Sequence, residues 1–284
     1  MKRQILTDVF SCSPPDALYH YTTQSGLVGI LKNNAIWATH SQYLNDQREY
    51  LYALEIVKDE ISAMVDASAD LQHKSLLHDM AEDIDGIEGM NVCVCSFSED
   101  RDSLSQWRAY GGASAGFAIG FSGEMLAEVA SDKNFHLARC IYDTSEQRAL
   151  IRALVEEVLE ENVEGSPWDD EDHIPQGGNL VAYLNRYAPI LKHPSFKEER
   201  EWRIISRPLS CKSKGFKFRP GNSVLIPYYN LPLASENVSF DLAEVVVGPT
   251  PQPEQAICSV SSFLVSLNLR KIPVNSSEVP YRNW

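Results

Sequence analysis

The chain has 284 residues, 44% hydrophobic and 10% aromatic, an ordinary globular composition with enough apolar material for a sizeable core. Its formal net charge of −14 argues against a broad phosphate-tracking surface for nucleic acid. No run of 18 apolar residues occurs, so no membrane-spanning helix is expected, and the N-terminus does not read as a signal peptide. The six cysteines include no C-x-x-C pair and no zinc-ligand spacing; they read as reduced, mostly buried thiols of a cytoplasmic protein.

In chain order, ALYHYTT at Ala17–Thr23 reads as a strand. Leu27, Ile30 and Leu31 at helical spacing then predict a helix over Ser25–Asn33. AIWATHS at Ala35–Ser41 is a second strand, and a helix from Gln47 to Val65 places Tyr50, Leu54, Val57 and Ile61 on one face. Residues 66–90 read as a polar helical insertion. NVCVCSFS at Asn91–Ser98, apolar on both faces, reads as a buried strand. Ser103–Tyr110 is a short helical turn stopped by Gly111-Gly112, Gly116–Ser122 a strand, Glu124–Ala130 a helix, Leu137–Tyr142 a strand and Ser145–Asn162 a helix. Residues 163–179 are acidic and turn-rich and read as a surface loop. Beyond it come a helix at Leu180–Leu191, strands at Val224–Tyr229 and Leu242–Gly248, a helix at Pro253–Leu267 and a last strand at Leu269–Val274. Strands spread along the whole chain, with helices before and between them, suggest a single α+β domain with mixed and antiparallel pairing over residues 1–284.

The segment Pro194–Ser206, PSFKEEREWRIIS, carries the sharpest chemical pattern. Read as a strand, it sends Glu199 and Glu201 to one face and Arg200 and Trp202 to the other. Neighbouring carboxylates repel, and one of them is pushed towards a pKa suited to a general base. The plain alternative is a solvated strand end, with Lys197, Arg200 and Arg203 neutralising the pair. On the first strand His20 lies between Tyr19 and Tyr21; it is either a core histidine satisfied by a backbone group or a hydrogen-bonding group that grips a ribose hydroxyl or a phosphate. The segment from Ser96, Phe97 and Ser98 to Gln106, Trp107 and Tyr110 supplies donors and flat aromatic faces, although Trp107 reads first as a core residue. Asn45 and Asp46 either bind a ligand or cap the following helix. No Walker loop, G-x-G-x-x-G fingerprint, G-x-S-x-G elbow or H-E-x-x-H motif is present.

In combination, L-Y-H-Y-T, W-A-T-H-x-x-x-L-N-D, C-S-F-S, S-Q-W-x-x-Y-G, G-F-A-I-G-F and E-x-E-W-R resemble the bacterial family catalogued as domain of unknown function 2971, from Leu18 to about Tyr281. That label conveys no activity. More loosely, the order of His20, a Ser-containing middle strand and Glu199-Arg200-Glu201 resembles the ADP-ribosyltransferase superfamily, with Ser96-Phe97-Ser98 departing from its usual Ser-Thr-Ser. This second resemblance implies a split-sheet core and NAD as a substrate. The implied roles are Glu201 as the carboxylate beside the nicotinamide ribose and Glu199 as the group orienting or deprotonating the nucleophile. His20, Tyr21, Thr22, Asn45, Ser96, Ser98 and Gln106 would bind the dinucleotide, with Tyr43 or Tyr110 stacking on nicotinamide. It also implies a macromolecular acceptor, a toxin or phage-defence setting and an antitoxin protein as a candidate partner. An NAD glycohydrolase and a nucleotide-binding module without turnover are the alternatives.

Overall fold

The computed structural model describes residues 2–44, 47–85, 91–111, 116–164 and 179–280. In chain order these form α1 (Lys2–Asp8), β1 (Ala17–Thr22), α2 (Gln24–Asn33), β2 (Ala35–His40), α3 (Gln47–Ala67), α4 (Leu71–Asp85), β3 (Cys93–Ser98), α5 (Leu104–Tyr110) and β4 (Phe117–Ser122). They continue with α6 (Gly123–Asp132), β5 (His136–Arg139), α7 (Thr144–Glu164), α8 (Asn179–Tyr187), β6 (Glu201–Ile205), β7 (Phe216–Pro220), β8 (Leu225–Pro232), β9 (Leu242–Val247), α9 (Pro253–Ser266) and β10 (Val274–Ser276). The class is mixed α+β, as expected. Most of the acidic 163–179 segment, and the end of the 66–90 segment, lie outside the described residues. Among those described, no helix is long and apolar enough to cross a membrane.

The strands join one mixed sheet in the order β10-β9-β4-β1-β3-β2-β8-β7, with β6 on β3 and β5 on β6. The β9–β10 pair is parallel; the other pairs are antiparallel. β3 is a branch point. Along one edge, Val94–Ser98 pairs with β6. The other edge is divided: β2 pairs at Cys93 and Val94, and β1 at Ser98. β1 and β2 diverge in between, leaving Cys95, Ser96 and Phe97 without a strand partner on that side.

Register decides what the fork exposes. Paired residues share a face, and side chains alternate along each strand. Trp37 opposite Asn230, Thr39 opposite Tyr228 and Val94, Ser96 opposite Arg203, and Ser98 opposite Glu201 and Tyr19 therefore place these side chains on one face. The other face presents Leu18, Ile36, Cys95, Phe97, Trp202 and Ile204 to a core that α2, α6 and α9 complete. A second core gathers α1, α3, α4, α7 and α8 around Ala138 and Ile205.

Local chemistry sets several element ends. Thr23 caps α2 by accepting from the Gly26 N–H at 3.2 Å, and Asn34 closes it in the left-handed region at φ 44°. The expected helix over Leu180–Leu191 stops at Tyr187 and tightens into a 3-10 turn at Pro189. The strand expected at Leu137–Tyr142 ends at Arg139, and beyond it only Ile141 bridges, in parallel, to Leu191. The last strand begins later than expected, at Val274. Asn268 adopts φ 62° and the Leu269 N–H returns to the Leu264 carbonyl, so Leu269–Ile272 form a turn. Sequence alone gives no strand at Phe216–Pro220; in the fold it is the sheet edge beside β8. Pro194–Glu199 is also a correction: it forms a 3-10 turn, Arg200 is left-handed at φ 45°, and the strand starts only at Glu201.

Candidate functional site

A cleft of about 1000 Å³ opens at the fork, a size suited to a ligand such as a dinucleotide. It is lined by His20, Tyr21 and Thr22 of β1, Tyr43 beyond β2, Ser96 of β3, Gln106 and Tyr110 of α5, and Glu199 and Glu201. Nine of the residues singled out in the sequence thus meet in one place. Ser98 does not line it: its hydroxyl donates to the Glu199 carbonyl at 2.7 Å, tying β3 to the turn that carries Glu199. Asn45 lies outside the described residues.

Glu199 and Glu201 do point to one place, but not by strand alternation. The left-handed Arg200 swings the chain from the 3-10 turn into β6, and both carboxylates converge on the Lys192 ammonium, which bonds to each. Lys192 also lies 3.3 Å from Glu49 Oε1. From β6, Arg203 Nε donates to Glu201 Oε1 at 2.7 Å and Nη2 to Glu201 Oε2 at 3.1 Å. The same Nη2 reaches Glu49 Oε2 at 2.7 Å, and Nη1 donates to the Pro189 carbonyl at 2.7 Å. The Glu201 N–H donates to the Tyr142 hydroxyl at 2.9 Å. With all five groups ionised, three carboxylates face two cations and one net negative charge remains at this end of the cleft.

Three members are buried, with Arg203 3% exposed, Lys192 4% and Glu201 5%, while Glu49 and Glu199 are partly exposed. Burial works against each charge, and each is held by its partners. Burial pushes the Glu201 carboxyl up, but the Arg203 guanidinium and Lys192 ammonium bring it down to about 2. Burial opposes the charge on Lys192 as well, yet Glu201 leads the carboxylates that hold it firmly protonated. At Glu199 burial prevails over Lys192 and the carboxyl is raised. The adjacent carboxylates therefore split in pKa, with Glu201 the permanently ionised member.

Of the cations expected to neutralise the pair, only Arg203 bonds to it in this way. Arg200 pairs with Glu99 at 2.6 Å, and Trp202 Nε1 donates to the same carboxylate at 2.8 Å. The principal partner, Lys192, has no signature in the sequence, since it follows what reads as a helix end. Its position is set by backbone: its N–H donates to the Ile141 carbonyl at 3.1 Å, and Gln147 Nε2 donates to its carbonyl at 2.8 Å.

His20 explains how the gap in the sheet is tolerated. Its Nδ1 donates to the Ser96 carbonyl at 3.0 Å, satisfying a backbone acceptor that the fork leaves unpaired. Burial lowers the imidazole pKa, so the ring is neutral and its Nε2 is an acceptor. The backbone-satisfied reading of this histidine is the one the contact bears out, and the ring also lines the cleft. The Tyr21 hydroxyl donates to the Asp100 carbonyl at 2.7 Å and accepts from the Ser103 N–H at 2.9 Å, fixing the loop that leads into α5. Trp107 is buried, as expected, edge-on to Tyr21 at 4.6 Å. Tyr110 and Tyr43 both keep exposed ring surface, and the Tyr110 phenol is raised by burial and then by Glu201 and Glu199.

Residues 106–204 match the model of a family described as a protein of unknown function, DUF2971. This supports the first resemblance over a segment shorter than the motifs suggest, one that includes Gln106, Tyr110, Lys192, Glu199, Glu201 and Arg203. No curated protein matches the chain. No solved structure matches it.

Proposed function

We propose that the protein cleaves the nicotinamide–ribose bond of NAD and transfers ADP-ribose to a macromolecular acceptor, in an ADP-ribosyltransferase-like split-sheet core. The observation that carries this reading is the meeting of His20, Ser96, Glu199 and Glu201 in one cleft at a fork in the sheet. As nicotinamide leaves with the bonding electron pair, the ribose becomes an oxocarbenium-like cation. The fixed negative charge of Glu201 favours that cation, and the Lys192 and Arg203 contacts keep the carboxylate ionised and oriented. Glu199 has one oxygen on Lys192 and no hydrogen bond to the other among the described residues. With its raised pKa it receives the proton of the attacking nucleophile as the new bond to ribose forms. The neutral His20 accepts from a ribose hydroxyl through Nε2, and Tyr43 or Tyr110 offers a face for nicotinamide. Toxin or defence chemistry with an antitoxin partner is a setting consistent with this activity.

The second reading, a nucleotide-binding module without turnover, rests on the engagement of both Glu201 oxygens by Lys192 and Arg203. The two part in an assay with NAD labelled in its adenylate half, incubated with and without cell lysate. Label on macromolecules supports transfer. Free ADP-ribose alone turns the proposal into a glycohydrolase, and intact NAD leaves only the binding module.

A further inference from the structure

The end of the cleft formed by β2, β7 and β8 is built differently from the carboxylate end. The described cations lining the cleft are Lys192, Arg203 and Arg219. The first two are bound to Glu49, Glu199 and Glu201. Arg219 instead lies over the Trp37 ring, 5.5 Å from its centroid, and Trp37 rests against Tyr228 at 4.8 Å between centroids. Register explains the contact: Arg219 pairs with Ile226, two residues from Tyr228, and Trp37 pairs with Asn230 on the same face. Two further features point to a ligand. Arg219 Nε is buried and has no hydrogen-bond partner among the described residues. Trp37, in a strand whose neighbours Ile36 and Ala38 are fully buried, is itself 51% exposed.

We infer that Arg219, held over the Trp37 ring, is an anion subsite for the diphosphate of a nucleotide lying along the cleft. A guanidinium whose face lies over an indole can still direct its terminal Nη N–H groups at phosphate oxygens. At the carboxylate end both cations are already bound to Glu49, Glu199 and Glu201 and are not free for phosphates, so the two ends give a nucleotide one direction: diphosphate on Arg219, ribosyl cation at Glu201. The location of the diphosphate rests on the transferase reading for its direction, but not for its existence.

ADP and adenosine are suitable probes, titrated by calorimetry into wild-type protein, Arg219→Gln, Arg219→Lys and Trp37→Ala, with folding checked by thermal melting. ADP affinity falls at least tenfold in Arg219→Gln, is partly retained in Arg219→Lys and weakens in Trp37→Ala, while adenosine binding stays unchanged. Equal ADP affinity in wild type and Arg219→Gln overturns the subsite, as does wild-type protein that fails to bind ADP. The outcome is separable from that of the transferase reading. Arg219-dependent ADP binding without NAD consumption upholds the subsite and removes the transfer reaction. NAD consumption with the KM unaltered in Arg219→Gln removes only the subsite.

Discussion

Replacing Lys192 with Met keeps the apolar stem of the side chain but removes the ammonium that touches three carboxylates. The fall of the Glu201 carboxyl from its ordinary 4.5 to about 2 corresponds to about 3 kcal/mol of favourable interaction, shared by Arg203 and Lys192. Breaking a buried pair from one side also leaves its partner charge uncompensated, at a cost of about 3–5 kcal/mol. Lys192→Met is therefore expected to lose about 3 kcal/mol near neutral pH. The sign follows from the depressed carboxyl: its contribution is full above the unfolded value of 4.5 and disappears as pH falls through about 2. The deficit should shrink to about half near pH 3. Urea unfolding of both proteins, followed by tryptophan fluorescence across this range, measures it. A neutral-pH deficit below about 1 kcal/mol, as for an exposed ion pair, or a deficit independent of pH, would refute the reasoning.

Two further outcomes follow from burial. The lowered His20 pKa means that its contribution to stability is present above the ordinary 6.5 and lost as pH falls below it. His20→Gln keeps a donor for the Ser96 carbonyl and should reduce the acid-side slope of stability by up to about one proton; an identical slope contradicts the assigned environment. Burial also pushes up the thiols of Cys93 (to about 12), Cys95 and Cys140, whereas Cys12, Cys211 and Cys258 are exposed. A thiol reagent should label three sites rapidly in native protein and all six only after unfolding; a fourth rapid site would contradict the packing around β3.

Strands with strong local patterns were legible in the sequence. ALYHYT, AIWATH and CVCSFS each lie within a few residues of the expected bounds, because β-branched, aromatic and apolar side chains signal a pleated, buried surface. The convergence of Glu199 and Glu201 was anticipated for the wrong reason: Pro194 opens a 3-10 turn, and Arg200 must become left-handed before the strand can start. Long-range relationships were not legible. Lys192 reaches the carboxylates because a single parallel bridge between Ile141 and Leu191 holds its backbone. Likewise Glu49 joins the cluster from α3, and Arg219 meets Trp37 only because β8 lies between their strands. The fork in the sheet is a topological fact, and the role of His20 in bridging it depends on Ser96 having a strand partner on the β6 side only.

The most direct measurement is nicotinamide release from NAD by wild-type protein and by Glu201→Gln, with NAD affinity measured in parallel. The wild type should release nicotinamide, and the variant should do so at least about 100-fold more slowly, as for the loss of one preorganised group facing transition-state charge, with NAD still bound. Release at the wild-type rate by the variant, or none by the wild type at any enzyme concentration, would contradict the role of the carboxylate cluster in NAD cleavage.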